Sequence, residues 1–497
     1  MPLSRSFTPR LLLVAVLTYA LACAQYAFAD TAALLIENAR IVSTTGVSEP
    51  RDVLIEAGTI TEIGPGLRPS VAEKGVRIID AEGRFLSPGL IDSHVHLMGV
   101  PGESDALPAE VRDQALAQIP KSYLYFGFTT VLDLISADEP MVQWNNQALA
   151  PTAFHCVGVP IPGGYPMAWL PQEEQLASPI ADYYLYDENQ PALMAATPGS
   201  EQHKPKALVE RIASTGARCI KTFYETGFGR LRNLPVPSLE SMKALIREAH
   251  KHHLPVFLHG NSRKSYEFAL EAGVDLLVHG PWHGVSASDA EALEALAEKV
   301  VQAGIGVQPT MQVIVGEREL FSPDFFARPE VKAAVPSALR QWYQSEAGQW
   351  FVQNMSHGFG GPDEPHLHDK VHAAMAKPIG GVQAFTRALA VANGDLVFGS
   401  DTPSGPVYTQ FPGLNGHQEI QHWASQGVTP PQIFAALTVR NAELLGLAET
   451  LGSVAEGKRA DLLLLTDNPL ESVDAYDSIA WVIVKGVPVE RSKLAAN

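Results

Sequence analysis

Short apolar runs alternate with helical stretches between residues 86 and 447, and this alternation constrains the fold more than any other feature. Each run has the length of a strand, the segments between them have helical periodicity, and Gly or Pro stands near each junction. The eight apolar runs are 85–96, 129–134, 153–161, 218–224, 255–260, 274–280, 304–310 and 395–401. Eight βα units predict an α/β protein with a (β/α)8 TIM-like barrel, whose functional residues lie at the carboxyl ends of the strands.

The two ends of the chain have a different pattern. Residues 30–85 and 448–497 contain short strands with turn signals at Ala57-Gly58 and Lys485-Gly486. Neither end has enough strands for a core of its own. We therefore expect both ends to form one small composite β-sandwich domain beside the barrel domain at 86–447.

Two connections in the barrel are too long for simple loops. They form insertions near 162–206 and 312–394, after the third and the seventh predicted strands. Both leave from the carboxyl face of the barrel, so we expect them to serve as lids or as contacts in a homo-oligomer.

The first 29 residues have the pattern of a secretory signal peptide. Arg5 and Arg10 precede an apolar run at 11–24, and Ala27-Phe-Ala29 follows as a small-x-small cleavage signal. The run is too short to span a bilayer. The sequence thus predicts an exported protein, periplasmic or secreted, and Cys23 leaves lipid attachment as an alternative.

Charge and cysteine content restrict the partners and the redox state. The formal net charge of −18 disfavours a nucleic-acid partner, because acidic proteins repel phosphate backbones. Once the signal peptide is removed, Cys156 and Cys219 are the remaining cysteines. They can form one disulfide in an oxidising compartment, but we favour two buried free thiols.

Polar residues stand at the ends of five predicted strands. In the stretch SPGLIDSHVHL, Asp92, His94 and His96 face the same way, because side chains alternate along a strand. Four further residues follow apolar runs, where an unpaired charged or imidazole group is costly. They are Lys221, His259, His279 and Asp401. Together the residues predict one site at the carboxyl rim.

The residue types suit metal-dependent hydrolysis. Imidazoles and a carboxylate are ligands for Zn²⁺ or a similar divalent ion. A lysine that has added CO₂ becomes a carbamate, an anion that can bridge two metals. Two ions ~3.5–4 Å apart can share a hydroxide and polarise a carbonyl. Asp401 can then accept the proton of the hydroxide and return it to a leaving nitrogen.

Three motifs resemble the amidohydrolase superfamily: PGLIDSHVH at 88–96, GFTTVLDL at 127–134 and LGSVAEGKRADLLLL at 451–465. The pattern is similar to the binuclear branch, including the imidazolonepropionase-like group with its dipeptidases and amide hydrolases. The resemblance implies how the six ligands divide between two divalent ions. His94, His96 and Asp401 would hold one ion, His259 and His279 the other, and carboxylated Lys221 would bridge them.

The substrate residues transfer less directly. Gly163-Gly164-Tyr165 stands where relatives often carry Gly-Gly-His. Tyr165, Tyr224 and His283 are candidates for substrate contact, with packing or solvent exposure as the alternative for each. A second His-x-His, at His366 and His368, has no preceding strand, and we interpret it as part of a solvated loop.

These features favour a binuclear metallohydrolase that cleaves an amide-type C–N bond in a small peptide-like or N-acyl amino-acid substrate. The alternatives on the same barrel are a mononuclear aminohydrolase (deaminase) and a cyclic-amide hydrolase. The deaminase does not require Lys221. A non-catalytic binding or assembly barrel is the alternative from another class, but such a protein is expected to lack some of the ligands.

Overall fold

The computed structural model describes residues 33–68, 76–97, 99–187, 200–229 and 231–497. The predicted signal peptide at residues 1–29, with Cys23, lies outside these ranges. Within them, no helix combines the length and the apolar character needed to cross a membrane.

The strands of the described ranges form three hydrogen-bonded sheets. In chain order the strands are β1 (Leu34–Ser43), β2 (Gly46–Glu56), β3 (Thr59–Gly64), β4 (Arg77–Asp80), β5 (Phe85–Pro88), β6 (Leu90–Val95), β7 (Phe128–Asp133), β8 (Thr152–His155), β9 (Val157–Val159), β10 (Ile220–Phe223), β11 (Val256–His259), β12 (Leu276–Val278), β13 (Gly306–Gln308), β14 (Leu462–Leu465), β15 (Ile479–Val484) and β16 (Val487–Glu490).

The α-helices lie between and after the barrel strands. They span Ala109–Tyr125, Asp138–Asn145, Gln172–Ala177, Pro205–Ala213, Leu239–Lys251, Arg263–Ala272, Ala290–Ala303, Gln312–Glu319, Pro329–Ala334, Ser337–Tyr343, Trp350–Ser356, Leu367–Val391, Leu414–Ser425, Pro430–Ala435 and Asn441–Leu444.

Both chain ends contribute to one eight-stranded sheet, as the sequence predicts. Its order is β16-β15-β14-β5-β1-β2-β3, with β4 paired to β1. The hairpin turns at Ala57-Gly58 and Lys485-Gly486 have positive φ at both residues, which suits two-residue turns. The two turns also pack together, since a Cβ added to Gly486 would lie 2.7 Å from the Cα of Gly58. The sheet therefore fixes the two ends of the chain to each other.

Parallel strands form the predicted barrel. β6, β7 and β8 make one sheet, and β9 to β13 make the other. The third predicted strand is divided at Cys156, where the two sheets meet. Cys156 N donates a hydrogen bond to Asp133 O, and Val157 N donates one to Cys219 O, so the backbone bridges the division.

The eighth predicted strand, 395–401, forms no regular strand: an isolated bridge joins Leu396 to Val307, and another joins Thr402, one residue beyond the predicted strand, to Val95. The segment nevertheless closes the barrel. Val397 N donates to Val307 O at 3.0 Å, and Asp401 N donates to His94 O at 2.7 Å. At Asp401 the backbone turns into the left-handed region, with a φ of 57°.

Cys156 and Cys219 form a disulfide, which corrects the expectation of two free thiols. Both residues are fully buried, and their Cα atoms lie 4.7 Å apart. The hydrogen bond from Val157 N to Cys219 O places them side by side on neighbouring segments. Spacing along the chain could not reveal this proximity, because the residues are 63 positions apart.

Candidate metal centre

A cavity of about 520 Å³ opens at the carboxyl ends of the barrel strands. The second predicted insertion forms part of its wall, through helix Gln312–Glu319 and helix Leu367–Val391. Among the residues that line it are Tyr165, His259, His279, Trp282, Glu317 and Asp401. The cavity therefore reaches three of the six predicted ligands.

His94, His279 and Asp401 form the centre of the site. One potential ligand atom from each lies within 4.8 Å of the other two, and all three residues are buried. His94 Nε2 is 3.0 Å from Asp401 Oδ1, and His279 Nδ1 is 3.9 Å from Asp401 Oδ2. Two imidazoles and one carboxylate at this separation are a suitable donor set for a divalent metal ion.

His96 extends this cluster on one side. Its Nε2 lies 3.0 Å from Asp401 Oδ1, the same oxygen that His94 approaches. On the other edge of the ring, Nδ1 is 3.8 Å from Asp133 Oδ1. Asp133 is itself fixed, because Leu97 N and Ile135 N both donate hydrogen bonds to its carboxylate. The ring of His96 is therefore oriented between two carboxylates.

His259 and Lys221 complete the predicted set on the other side. The His259 ring lies 4.5 Å from the His279 ring, and its Nε2 is 3.6 Å from Glu225 Oε2. Lys221 lies on neighbouring β10 and is only 2% exposed. Among the described residues, Lys221 Nζ, His259 Nε2 and His94 Nδ1 have no hydrogen-bond partner. Buried nitrogens without partners are costly, so these residues fit a metal centre.

The electrostatics of the cluster favour neutral imidazoles and one carboxylate. Burial lowers the pKa of His94 to about 3, although Asp401 opposes the shift. Burial also lowers the pKa of Lys221 to about 7, so a neutral amine is accessible near neutral pH. For Asp401, burial acts to raise the pKa, but His94 and His96 outweigh it and hold the pKa well below its usual range.

Strand ends at the site adopt left-handed backbone conformations. The φ angles are 87° at His279, 46° at Thr310 and 57° at Asp401. Each such non-glycine residue costs on the order of 1–3 kcal/mol and persists only where its surroundings hold it. Thr310 Oγ1 shares a 2.7 Å hydrogen bond with His279 Nδ1, and Tyr266 Oη donates one to His279 O. The site is thus held by contacts on both the ring and the backbone of His279.

Asp92 lies beneath the cluster. Its carboxylate accepts hydrogen bonds from Ser400 N at 3.0 Å and from Ser400 Oγ at 2.5 Å. Burial raises the pKa of Asp92 to about 7 in spite of these bonds. Because Ser400 precedes Asp401, Asp92 positions the segment that carries Asp401.

The three substrate candidates have different surroundings. Tyr165 and His283 line the cavity, and the Tyr165 ring stacks on His259 with centroids 4.5 Å apart. Tyr224 is not among the lining residues, and its ring packs against Phe268 at 4.6 Å. The structure therefore brings two of the three to the site.

The second His-x-His lies only partly in a loop: His366 is in the turn that precedes helix Leu367–Val391, whereas His368 is in the helix, contrary to our interpretation. His368 and His372 belong to helix Leu367–Val391, where a spacing of four residues brings their rings to 4.0 Å. His366 and His368 are exposed, as expected. The absence of a preceding strand excluded a barrel ligand but did not exclude a helix.

Several residues that support the site were missed in the sequence. Asp133 ends β7 and Thr310 follows β13, so the rule used for the histidines applies to them as well. Glu225 and Asn261 lie just beyond strand ends, where Asn261 Nδ2 donates a 2.7 Å hydrogen bond to Glu225. These two lie in irregular segments, and no periodic signal points to them.

Comparisons with known proteins agree with the fold. Two models, both described as amidohydrolase family, match residues 85–302 and 350–490. A dihydroorotase of Pelobacter propionicus is 46% identical over 65 residues, which are 13% of this chain and 15% of that protein. One from Staphylococcus aureus strain Mu50 is 44% identical over 69 residues, or 14% of this chain and again 15% of that protein. The matched stretches thus cover about 15% of the length of these curated relatives.

Solved structures resemble the chain over nearly its whole length. An amidohydrolase structure has a TM-score of 0.62 at 20% identity and covers 92% of this chain and 99% of its own. A Xaa-Pro dipeptidase with bound methionine in its active site has a TM-score of 0.62 at 19% identity, with coverages of 92% and 100%. At this identity, the likeness establishes the fold.

The fold and the cluster together define a class, the (β/α)8 barrel with a candidate metal centre at the carboxyl ends of its strands. Two matching family models, which account for most of residues 85–490, make the assignment more specific. The chain belongs to the amidohydrolase superfamily.

Proposed function

We propose that this protein is a metal-dependent hydrolase that cleaves an amide-type C–N bond in a small peptide-like or N-acyl amino-acid substrate. The observation that carries the proposal is the convergence of His94, His279 and Asp401 in one buried cluster, of which His279 and Asp401 line the cavity. One of the structural neighbours is a Xaa-Pro dipeptidase, and this likeness supports a peptide-like substrate.

The donor set fits two divalent ions, and Zn²⁺ is the first candidate because imidazole and carboxylate ligands predominate. His94, His96 and Asp401 would hold one ion, and His259 and His279 would hold the other. Lys221 would bridge them as a carbamate, which its lowered pKa favours, because only the neutral amine adds CO₂. When bound, the ions supply a Lewis acid for the carbonyl oxygen and lower the pKa of the attacking water.

Asp401 moves the proton in this reaction. Its Oδ1 faces both His94 and His96, whereas Oδ2 has a longer contact, 3.9 Å to His279. Oδ2 therefore accepts the proton of the attacking water as the new C–O bond forms. It then returns a proton to the nitrogen as the C–N bond breaks, which releases a carboxylate and an amine.

A hydrolase of cyclic amides is the second candidate. The short stretches of 46% and 44% identity are shared with dihydroorotases, whose name denotes a cyclic substrate. The same arrangement of Asp401 and the histidines suits an amide bond in a ring, so the substrate panel must include lactams.

Metal analysis joined to a substrate screen tests the proposal. We expect two divalent ions per chain, and turnover in a panel of dipeptides, N-acyl amino acids and lactams. Lys221→Ala is expected to lose one ion and most activity, while its melting temperature shows whether it folds. One tightly held ion with normal activity in Lys221→Ala would favour the mononuclear aminohydrolase. Full metal occupancy without turnover of any substrate would favour a binding barrel.

We further propose that the protein is exported to the periplasm or secreted after cleavage near residue 29. The disulfide between Cys156 and Cys219 supports an oxidising compartment, where such bonds persist. The mass of the mature protein tests this, because lipid attachment at Cys23 would give a different N-terminus and a larger mass. Light scattering on the same sample tests the expected homo-oligomer.

A further inference from the structure

Glu317 is a carboxylate in the cavity that the proposed chemistry does not use. It lies on helix Gln312–Glu319, directly after the seventh barrel strand, and lines the same cavity as His279 and Asp401. Within the described part of the chain it forms neither a hydrogen bond nor an ion pair. A carboxylate that faces a substrate cavity without a partner is costly, and its position requires an explanation.

Lys377, a cationic residue that lines the same cavity, does not form an ion pair with Glu317 among the described residues. Lys377 lines the cavity from helix Leu367–Val391, but its side chain is exposed and makes no ion pair among the described residues. Burial alone raises the pKa of Glu317 to about 7, with no neighbouring cation acting to lower it. Within the described residues, no cation compensates a negative charge on Glu317.

The surrounding walls suit an organic cation. Tyr165, Trp282 and Phe228 line the cavity together with Glu317, and aromatic faces attract ammonium and guanidinium groups. The chain as a whole has a formal charge of −18, which attracts cations from solution. A cation that enters the cavity finds both a carboxylate and aromatic faces, and it also offsets the cost of burying the carboxylate.

We propose that Glu317 determines specificity by binding a cationic group, an ammonium or a guanidinium, on the substrate. The group would occupy the cavity beside the Glu317 carboxylate and the aromatic side chains, while the amide lies at the histidine cluster. The assignment of the bound cation to a substrate rests on the proposed function, whereas the cation site itself does not.

A pair of small probes tests the cation site without turnover. Butylguanidinium and butylurea are nearly equal in shape and differ by one charge, and calorimetry on the metal-loaded protein gives both affinities. We expect the cation to bind at least about 10-fold more tightly, and Glu317→Gln to abolish the difference. Lys377→Met is the matched control, because it changes a charge in the same cavity and is expected to keep the preference.

Turnover provides the second readout. Ala-Lys and Lys-Ala are compared with the norleucine dipeptides, which lack only the charged amino group. A preference in kcat/KM for one lysine dipeptide that Glu317→Gln removes, with the norleucine rates unchanged, supports the proposal. Equal affinity for the two probes, or a preference that survives in Glu317→Gln, overturns it. Probe discrimination without turnover of any dipeptide leaves the cation site intact and counts against the amide-hydrolase proposal instead.

Discussion

The Tyr165 ring stacks on the imidazole of His259, with centroids 4.5 Å apart and an angle of 28° between the planes. This contact joins the turn after the third barrel strand to a proposed ligand at the end of β11. Tyr165 was a candidate for substrate contact, with packing as an alternative, and it lines the cavity. Its stacking adds another role, which is to hold the His259 ring in place.

We expect Tyr165→Phe to keep this contact and Tyr165→Ala to lose it. Residues that orient ligands typically change metal affinity or activity by 10–100-fold when removed. The phenylalanine variant should therefore remain within about 2-fold of the wild type, and the alanine variant should lose about 10-fold in metal affinity. Titration with a competing chelator measures both. Equal loss in the two variants would show that the hydroxyl, and not the ring, is important.

Thr310 orients His279 through the 2.7 Å hydrogen bond to Nδ1. Thr310→Val keeps the shape of the side chain and removes this bond, whereas Thr310→Ser keeps the hydroxyl. We expect the valine variant to lose about 10-fold in kcat or in metal affinity and the serine variant to lose little. Valine activity equal to that of the wild type would mean that the backbone alone positions His279.

The buried disulfide should contribute substantially to stability. Its closed loop spans 63 residues, for which the chain-entropy model gives about 4 kcal/mol. We expect the unfolding free energy of the double variant Cys156→Ala, Cys219→Ala, measured by denaturant titration, to be lower than that of the wild type by about 4 kcal/mol or less. Because both cysteines are fully buried, the folded wild type should resist a mild reductant. An unfolding free energy equal to that of the wild type would show that the disulfide does not stabilise the protein.

Glu419 should make stability depend on pH. Burial raises the pKa of its carboxyl from 4.5 to about 7, although Gln312 N and Met311 N donate hydrogen bonds to it. Between these values the unfolded chain releases a proton that the folded chain retains. Its contribution to folding is therefore present at pH 4.5 and is lost as the pH rises to about 7.

The change over this range is on the order of 3 kcal/mol. Glu419→Gln should remove it, so the unfolding free energy of the variant should fall less steeply between pH 4.5 and 7. Denaturant titrations at several pH values measure both slopes, and the comparison does not depend on the absolute stability of the variant. Identical slopes would show that Glu419 titrates normally.

The sequence predicts the barrel well because its strands are buried and apolar, and seven of the eight predicted runs contain a regular strand. The exception, 395–401, has the composition of a strand, but it pairs mainly near Val307 and His94. Composition indicates burial, whereas regular pairing also depends on how neighbouring strands meet, and the sequence does not show this.

The same distinction applies to the site. The sequence could predict His94, His259 and Asp401 as site residues, because in a (β/α)8 barrel the polar residues at strand ends lie together. The sequence could not predict Glu317 as a site residue, since it lies in a helix of an insertion and not at a strand end. The disulfide was missed for a related reason, because it depends on which strands are neighbours in space.

The contact between His94 and Asp401 joins residues about 300 positions apart, in the first and the last segments of the barrel. Asp401 N donates to His94 O, and His96 N donates to Thr402 O, so these hydrogen bonds are the seam along which the barrel closes. A nascent chain that has not yet released its last segment cannot possess this pair. A metal ion that needs both residues can therefore be bound only after the last segment of the barrel has joined the first.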